Sequence, residues 1–207
     1  MSQKAKGWLV AVAALVGVWL IQNGADTALV PPQPTTAQAF AAGPGVQPGS
    51  PVAAPLRPST PVRLRIPSIR VDAPMIRLGL GSDGSLDVPP AENRNVVGWY
   101  KDGTPPGAEG TALVAGHVDN AQGRSVFYDL GSLAKGSTVE VVRQDGSTAV
   151  FSLDGIEVYK NKNFPDRRVY GASLFPALRL ITCGGGFSPE TGYQGNVVAY
   201  AHLTGVR

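Results

Sequence analysis

The sequence is poor in cysteine, in charge and in metal ligands, and each shortage excludes a class of protein. Cys183 is the only cysteine among 207 residues, so no disulfide can form within the chain. Lys and Arg total 18 against 15 Asp and Glu, and they form no run that could follow a phosphate backbone, so we expect no nucleic acid partner. One cysteine, two histidines and no acidic cluster are too few for the usual metal sites, so we expect no metal and no cofactor.

Positive charge is also missing from a long stretch near the N-terminus. After Lys4 and Lys6 no Lys or Arg occurs until Arg57, and residues 8–21 are strongly apolar. Positive residues ahead of an apolar stretch keep the N-terminus in the cytoplasm and send the following chain outward. The apolar core is shorter than the ~20 residues of a comfortable membrane-spanning helix, so a cleaved signal peptide and an uncleaved anchor both fit. Because no clear cleavage site follows closely, we predict a signal anchor over 1–26, a single-pass membrane topology and an exported body.

The next segment, 27–61, is rich in Pro, Ala, Gln and Thr and has no hydrophobic period. Such a segment buries too little apolar surface to offset the entropy of ordering it. We therefore predict a disordered linker that holds the body away from the membrane. The body, 62–207, is long enough to form one hydrophobic core.

The body has the pattern of many short β-strands. VRLRI at 62–66 alternates apolar and polar residues, and STVEVVR and STAVFSL flank a Gly-containing turn as in a hairpin. No stretch of more than ten residues shows a helical period, and the best short candidate is 125–133. We predict a mainly β fold, a closed barrel rather than a sandwich, with one or two short helices.

The single cysteine ends the apolar run ALRLIT and precedes three glycines. A lone cysteine can be a buried hydrophobe, half of an intermolecular bridge or a nucleophile. The glycines favour a nucleophile, because they let a backbone approach Cys183 and leave amide groups for a developing oxyanion. A nucleophilic thiol needs a base, and His117 also follows an apolar strand and a glycine, so the two could meet at one barrel mouth. His202 lies within the last strand, and we interpret it as a surface or hydrogen-bonded strand histidine.

Three blocks of this sequence resemble the sortases, most closely the class F sortases of actinobacteria. The blocks are RLRIPSIRVDAPM, GTPPGAEGTALVAGHVDN, and LITCGGGF followed by TGYQGNVVAYA. They occur in the same order as in the family, and the resemblance covers about 62–203. The resemblance implies an eight-stranded β-barrel and a cysteine transpeptidase at the cell membrane, with its catalytic domain outside the cell. It implies that Cys183 attacks a motif similar to Leu-Pro-x-Thr-Gly near the C-terminus of an exported protein and holds the acyl fragment as a thioester. The fragment then passes to an amine of a peptidoglycan precursor, with His117 as the acid and base.

The sequence departs from the sortase pattern at one position. The family uses an arginine on the strand after the cysteine to stabilise the oxyanion, but the nearest equivalent here is Asn196 or Val197. Arg179 stands four residues before Cys183, and residues i and i−4 share a face of an extended strand. We therefore predict that Arg179 supplies the cation, and an ordinary strand arginine on an outer face is the open alternative.

Other residues and other families stay open at this point. Arg124, on the loop after His117, is a weaker candidate for the cation, and Asp119 could orient His117 or cap its loop. An L,D-transpeptidase-like wall cross-linking enzyme also pairs a histidine with a later cysteine, but that family prefers a Ser-x-Gly-Cys context. The second alternative is a non-catalytic cell-surface binding module in which Cys183 is inert and buried.

Overall fold

The computed structural model describes residues 30–40, 50–82 and 84–207. Eight strands close into a barrel in the order β1-β2-β3-β4-β9-β10-β8-β7, which confirms the predicted closed barrel. A separate two-stranded hairpin, β5 and β6, follows β4. The strands are β1 (Pro61–Ile66), β2 (Val71–Leu78), β3 (Val97–Tyr100), β4 (Gly110–Ala115), β5 (Asp119–Asn120), β6 (Gly123–Arg124), β7 (Thr138–Arg143), β8 (Thr148–Lys160), β9 (Pro176–Ser188) and β10 (Gly192–Val206).

Helical structure is limited to short pieces in the described residues. One α-helix, α1 (Asp166–Tyr170), has five residues, and 3₁₀ turns occupy Pro67–Ile69, Leu130–Ser132 and Asn161–Asn163. The helix predicted over 125–133 is reduced to the turn at Leu130–Ser132. The reason is that the amides of Ser125 and Phe127 donate to Val118 O and His117 O, both at 3.0 Å. They therefore do not form the bonds to carbonyls four residues earlier that an α-helix requires.

Alternation along the strands builds the barrel core. In β1, Leu64 and Ile66 are fully buried inside the barrel, whereas Arg63 and Arg65 face outward and bind Asp72. All eight barrel strands contribute buried apolar residues to one core cluster. Because each fully buried large apolar side chain stabilises the fold by about 1.5–3 kcal/mol, this pattern accounts for the barrel as the stable arrangement.

The strand β9 carries the two faces that matter for the site. Leu178 and Leu180 point into the barrel core, so Arg179, Ile181 and Cys183 lie on the outer face. β9 pairs in parallel with β4 on one side and antiparallel with β10 on the other. The outer surface of β4, β9 and β10 is therefore one continuous face that ends at Cys183.

The proline-rich segment packs on the barrel in its described residues. The Gln38 side-chain amide donates to the carbonyl oxygens of Gly131 and Leu133, both at 2.9 Å, and the Ile156 amide donates to Gln38 O at 2.9 Å. The Phe40 ring makes an edge contact with Tyr200 at 5.3 Å between centroids. Residues 31–40 thus differ from the predicted disordered linker. They have no hydrophobic period, but their polar groups form hydrogen bonds with backbone groups of the barrel.

The predicted anchor over 1–26 lies outside the described residues. Within the ranges that the structure does describe, no helix is both long and apolar enough to cross a membrane.

Candidate active site

Parallel pairing of β4 and β9 brings the predicted pair of site residues to one edge of the barrel. Ala115 is the Cα partner of Ile181, and the Gly116 amide donates to Ile181 O at 3.1 Å. His117 and Cys183 each follow these partners by two positions, so they extend the same outer face. The register therefore brings the segments of His117 and Cys183 to the same end of the β4–β9 pairing.

A glycine before the histidine is required by packing. A Cβ atom at Gly116 would stand 2.7 Å from the Phe127 ring and 2.9 Å from Val126. Phe127 is fully buried, and its amide donates to His117 O at 3.0 Å. The segment after the β5–β6 hairpin thus supports the backbone of His117 from behind.

A backbone carbonyl fixes the tautomer of His117. The Nε2 atom lies 2.7 Å from Pro89 O, and because a carbonyl can only accept, Nε2 carries the proton and donates it. Nδ1 is then the basic nitrogen of the neutral ring. The Asn120 side chain donates to Ala91 O at 2.6 Å and ties the same two loops together.

The glycines after Cys183 lie at an irregularity of β9, where the pairing with β10 shifts register. Gly185 and Gly186 have φ values of 75° and 96°, in the left-handed region. The Gly185 amide donates to the side-chain oxygen of Gln33 at 3.2 Å. This amide is therefore used by the packed N-terminal segment, whereas the sequence suggested that it would serve an oxyanion.

The surroundings of Cys183 favour the neutral thiol. The side chain reaches solvent, yet partial burial raises the pKa of the thiol above its ordinary value, and the nearby Asp119 carboxylate raises this pKa further. A hydrogen bond from its own backbone amide offsets part of the shift in pKa. Formation of the thiolate at neutral pH therefore depends on a base or cation next to it.

A tyrosine that sequence reasoning missed links the two site loops. The Tyr193 hydroxyl donates a hydrogen bond to the Asp119 carboxylate, and burial together with Asp119 raises the pKa of Tyr193. Asp119 follows His117 by two positions, and Tyr193 begins the strand after the cysteine loop. The sequence marked this strand as the place of the absent arginine, but spacing alone could not pair two residues that are 74 positions apart.

Both candidate arginines lie against tyrosines. The Arg179 guanidinium stands 4.4 Å from the centre of the Tyr200 ring and donates to Leu178 O at 3.2 Å. Arg179 is roughly 13 Å from Cys183 along the extended strand. The Arg124 guanidinium stands 4.4 Å from the Tyr128 ring. A catalytic role for Arg179 stays a prediction.

Two other positions considered from the sequence have structural contacts. Asn196 is the Cα partner of Cys183, and its side-chain amide donates to Asn161 Oδ1 at 3.0 Å. His202 is 2% exposed, and its Nδ1 lies 2.6 Å from Asp154 Oδ1, which confirms the interpretation as a hydrogen-bonded strand histidine.

An apolar cleft lies on the same outer face. This cavity of about 590 Å³ is lined by Leu80, Gly84, Ser85, Leu86, Tyr100, Leu113, Asp166 and Tyr170. Leu113 precedes His117 by four positions on β4, which is roughly 13 Å of extended chain.

The residues that the structure describes contain no group of three or more His, Cys, Asp or Glu side chains placed to hold a metal ion.

Comparison with known proteins agrees with this geometry. Sortase A from Corynebacterium diphtheriae has a TM-score of 0.53 at 20% identity, and the match covers 72% of this chain but only 61% of that sortase. Sortase A of Listeria monocytogenes has a TM-score of 0.54 at 14% identity, with 72% and 90% covered. The SrtA sortase from Actinomyces oris has a TM-score of 0.53 at 20% identity, with 78% and 89% covered.

These solved structures establish the likeness of fold, while no curated protein sequence matches the chain significantly. The family model described as the sortase domain matches residues 64–204. The chain therefore belongs to the sortase family, the cysteine transpeptidases.

Proposed function

We propose that this protein is a membrane-anchored sortase of class F with its catalytic domain outside the cell. It cleaves a sorting motif similar to Leu-Pro-x-Thr-Gly on an exported protein through a Cys183 thioester, and it transfers the acyl fragment to a cell-wall amine. The observation that supports the proposal is the parallel register of β4 and β9, which pairs Ala115 with Ile181, two residues before His117 and Cys183.

The first half-reaction forms the thioester. The Cys183 thiol gives its proton to Nδ1 of His117, and Sγ attacks the carbonyl carbon of the scissile peptide bond. The tetrahedral intermediate collapses when the C–N bond breaks, and His117 returns the proton to the leaving amine. The hydrogen bond from Nε2 to Pro89 O supports the imidazolium that forms between these steps, because a carbonyl oxygen attracts a positively charged donor.

The second half-reaction reverses these roles. The incoming amine attacks the thioester carbonyl and loses a proton to His117, and Cys183 leaves with the electron pair of the C–S bond and recovers the proton. The pKa of the Cys183 thiol lies above its ordinary value, so the neutral thiol is the favoured product. Sulfur is therefore a good leaving group only when His117 gives it the proton taken from the amine.

The apolar cleft suits the donor motif. Its Leu80, Leu86, Tyr100 and Tyr170 side chains suit an apolar residue, and Leu80 is 51% exposed without an occupant. Leu113, which lines the cleft, stands four residues before His117, roughly 13 Å of extended chain. This spacing supports a motif that is apolar at its first residue and cleaved after its fourth.

The family match favours this activity over an L,D-transpeptidase-like cross-linking enzyme. The class F assignment rests on the anchor, the proline-rich segment and the GHVD and TCGGG blocks of the sequence. A non-catalytic binding module is the alternative that experiment has to exclude.

Intact-mass spectrometry of the full-length chain with peptides that bear Leu-Pro-x-Thr-Gly-like motifs tests the proposal. We expect a mass increment equal to the acyl fragment, which an added amine discharges. Cys183→Ala is the matched control and should show no increment.

A thiol that forms no adduct and also resists small alkylating reagents in the folded protein would support the binding module. A readily alkylated thiol without an adduct would reject the motif and keep the chemistry.

A further inference from the structure

A second cavity, separate from the apolar cleft, carries an excess of positive charge. It measures about 330 Å³, and three of its lining residues are arginines: Arg70, Arg94 and Arg124. The remaining lining residues are Ile69, Val71, Asn95, Ser125, Val126, Tyr128 and Asp129. We call this cavity the arginine pocket.

The arginine pocket lies beside the histidine of the site. Arg124 is the Cα partner of Asp119 in the β5–β6 hairpin, and Asp119 accepts a hydrogen bond from Tyr193 at the start of β10. Directly paired residues of two strands stand about 5 Å apart. The amide of Ser125, which lines the pocket, donates to the carbonyl of Val118, the residue after His117, at 3.0 Å. The pocket is therefore one hairpin strand away from the reacting groups.

The pocket arginines are not neutralised within the described part of the chain. No carboxylate there lies within 4.0 Å of a guanidinium of Arg70, Arg94 or Arg124, and the only acidic lining residue is Asp129. Arg94 donates to Gln122 O at 3.0 Å, which holds one guanidinium toward the hairpin. The Ser125 hydroxyl is buried without a hydrogen-bond partner in that same part of the chain.

The backbone at Arg70 adds a second unusual feature. Arg70 is the one non-glycine residue with positive φ in the described ranges, at 55°. Its amide donates to Pro67 O at 3.1 Å, so the turn that presents this arginine to the pocket is closed by a hydrogen bond. A non-glycine residue rarely adopts this conformation, and such positions occur often at sites that bind ligands.

We propose that the arginine pocket binds a carboxylate or phosphate group of the amine that discharges the thioester. This inference rests on the proposed function and names the chemical class of the second substrate. Guanidinium groups match both oxyanions through paired hydrogen bonds. The apolar cleft precedes His117 along β4, whereas the pocket borders the hairpin that follows His117, so donor and acceptor approach from different sides of the base.

Binding can be tested without catalysis. The full-length chain is titrated calorimetrically at low ionic strength with inorganic pyrophosphate, triglycine and triglycine amide. We expect pyrophosphate or triglycine to bind at least ten times more tightly than triglycine amide, which lacks the carboxylate, and the stronger of the two identifies a phosphate or a carboxylate as the group. The double variant Arg70→Gln/Arg124→Gln should lose this preference. Arg77→Gln, the same change further along β2, is the matched control and should keep it.

Transfer provides the second readout, on the acyl-enzyme that the mass experiment defines. The rate with triglycine is divided by the rate with triglycine amide on the same variant, so any general loss of activity cancels. If the titration identifies a carboxylate, we expect this ratio to exceed ten in the parent and in Arg77→Gln, and to approach one in the double variant. If it identifies a phosphate, we expect added pyrophosphate to slow transfer to triglycine amide in the parent and in Arg77→Gln, and not in the double variant.

The failures are distinguishable. If no acyl-enzyme forms, the proposed function is rejected and the titration alone decides the pocket. If the acyl-enzyme forms but the parent prefers neither anion in either readout, the pocket does not bind the acceptor and the inference is overturned.

Discussion

The outer face of β9 and β10 carries the same three residue types at its two ends, with opposite exposure to water. One end has His117, Asp119 and Tyr193 around Cys183, and the other has His202, Asp154 and Tyr200 around Arg179. At the arginine end the histidine and tyrosine are each 2% exposed and the aspartate is 5% exposed. At the cysteine end all three side chains are only partly buried.

The charged groups at the arginine end contact one another. His202 and Asp154 bind each other, the Asp154 carboxylate attracts Arg179, and the Tyr159 and Tyr200 hydroxyls lie 2.9 Å apart. Burial of Arg179 lowers the pKa of its guanidinium, and the neighbouring tyrosine and aspartate groups offset this shift. Buried charged groups that contact one another in this way are costly to separate.

The cysteine end leaves its reactive atoms incompletely bound. His117 uses Nε2 on Pro89 O and keeps Nδ1 for proton transfer, and the Cys183 thiol reaches solvent. The pairing of β4 with β9 ends just before these residues, at Ala115 and Ile181, and β9 continues through Gly185 and Gly186, which have positive φ. A histidine, an acid and a tyrosine therefore do not identify an active site by themselves. The difference between the two ends is that the side chains around Cys183 are partly exposed to solvent, whereas those around Arg179 are buried.

The largest effect that would sharpen this comparison is expected at the exposed histidine. We expect His117→Ala to slow acylation of Cys183 by about 10²–10⁴-fold, the usual contribution of a positioned acid and base. The free energy of unfolding should change little, because His117 is not part of the core. Rapid-quench mass spectrometry measures the first quantity and urea unfolding the second.

A comparable acylation rate in His117→Ala would remove His117 from the mechanism. His202→Ala is the matched control, since it removes the same ring from the other end of the face.

The next effect concerns stability at the buried end. Asp154→Ala leaves His202 and Arg179 without their carboxylate partner, and we expect the free energy of unfolding to fall by about 3–5 kcal/mol, as for other buried pairs that lose one member. Urea unfolding measures the loss. A loss below about 1 kcal/mol would show that the pair contributes little and that the two ends of the face are more alike than the contacts indicate.

A smaller effect is expected on the thiol at the exposed end. The Asp119 carboxylate raises the pKa of Cys183 because a negative neighbour disfavours the thiolate, so Asp119→Asn should lower that pKa. The thiolate fraction at neutral pH then rises, and alkylation by iodoacetamide should be faster, with its pH midpoint moved to lower pH. The pH profile of the alkylation rate checks this.

Tyr193→Phe is the control for the hydrogen bond in that experiment. Tyr193→Phe keeps the Asp119 carboxylate, so the pH midpoint of alkylation should stay above the ordinary pKa of a thiol. A midpoint that moves to higher pH in Asp119→Asn would contradict the repulsion between this carboxylate and the Cys183 thiolate.

The sequence was sufficient for the barrel because strand alternation is local. Leu64 and Ile66, or Leu178 and Leu180, mark the inner face wherever they occur, and burial of that face fixes the register of each strand. The same local pattern predicted that His117 and Cys183 follow two apolar strands, and these strands, β4 and β9, pair with each other.

The polar partnerships were not predictable because they join distant residues after the fold has formed. Asp154 meets His202 across 48 positions, next to a bulge between Tyr200 and Ala201 that no composition signals. Residues 31–40 lack a hydrophobic period, yet Gln38 binds two barrel carbonyls. Hydrogen bonds of this kind depend on exact backbone positions, which hydrophobic patterning does not determine.

The smallest expected effect is at Arg179. This side chain contacts Tyr200 at the buried end, but the sequence predicts that it serves Cys183 at the exposed end. Arg179→Ala removes the guanidinium from the Tyr200 ring, and we expect the free energy of unfolding to fall by about 1–2 kcal/mol, the range for partly desolvated cation–π contacts. The acylation rate of the same variant tests the catalytic prediction. A guanidinium that must travel roughly 13 Å along the strand to serve Cys183 would have to leave Tyr200 in every turnover. If the stability falls while acylation stays near normal, Arg179 belongs to the buried end, and Arg179→Lys should recover part of the stability. If the acylation rate falls by much more than the loss of unfolding free energy explains, Arg179 supplies the cation that the sequence predicted. Its guanidinium then serves both ends of the face during the reaction.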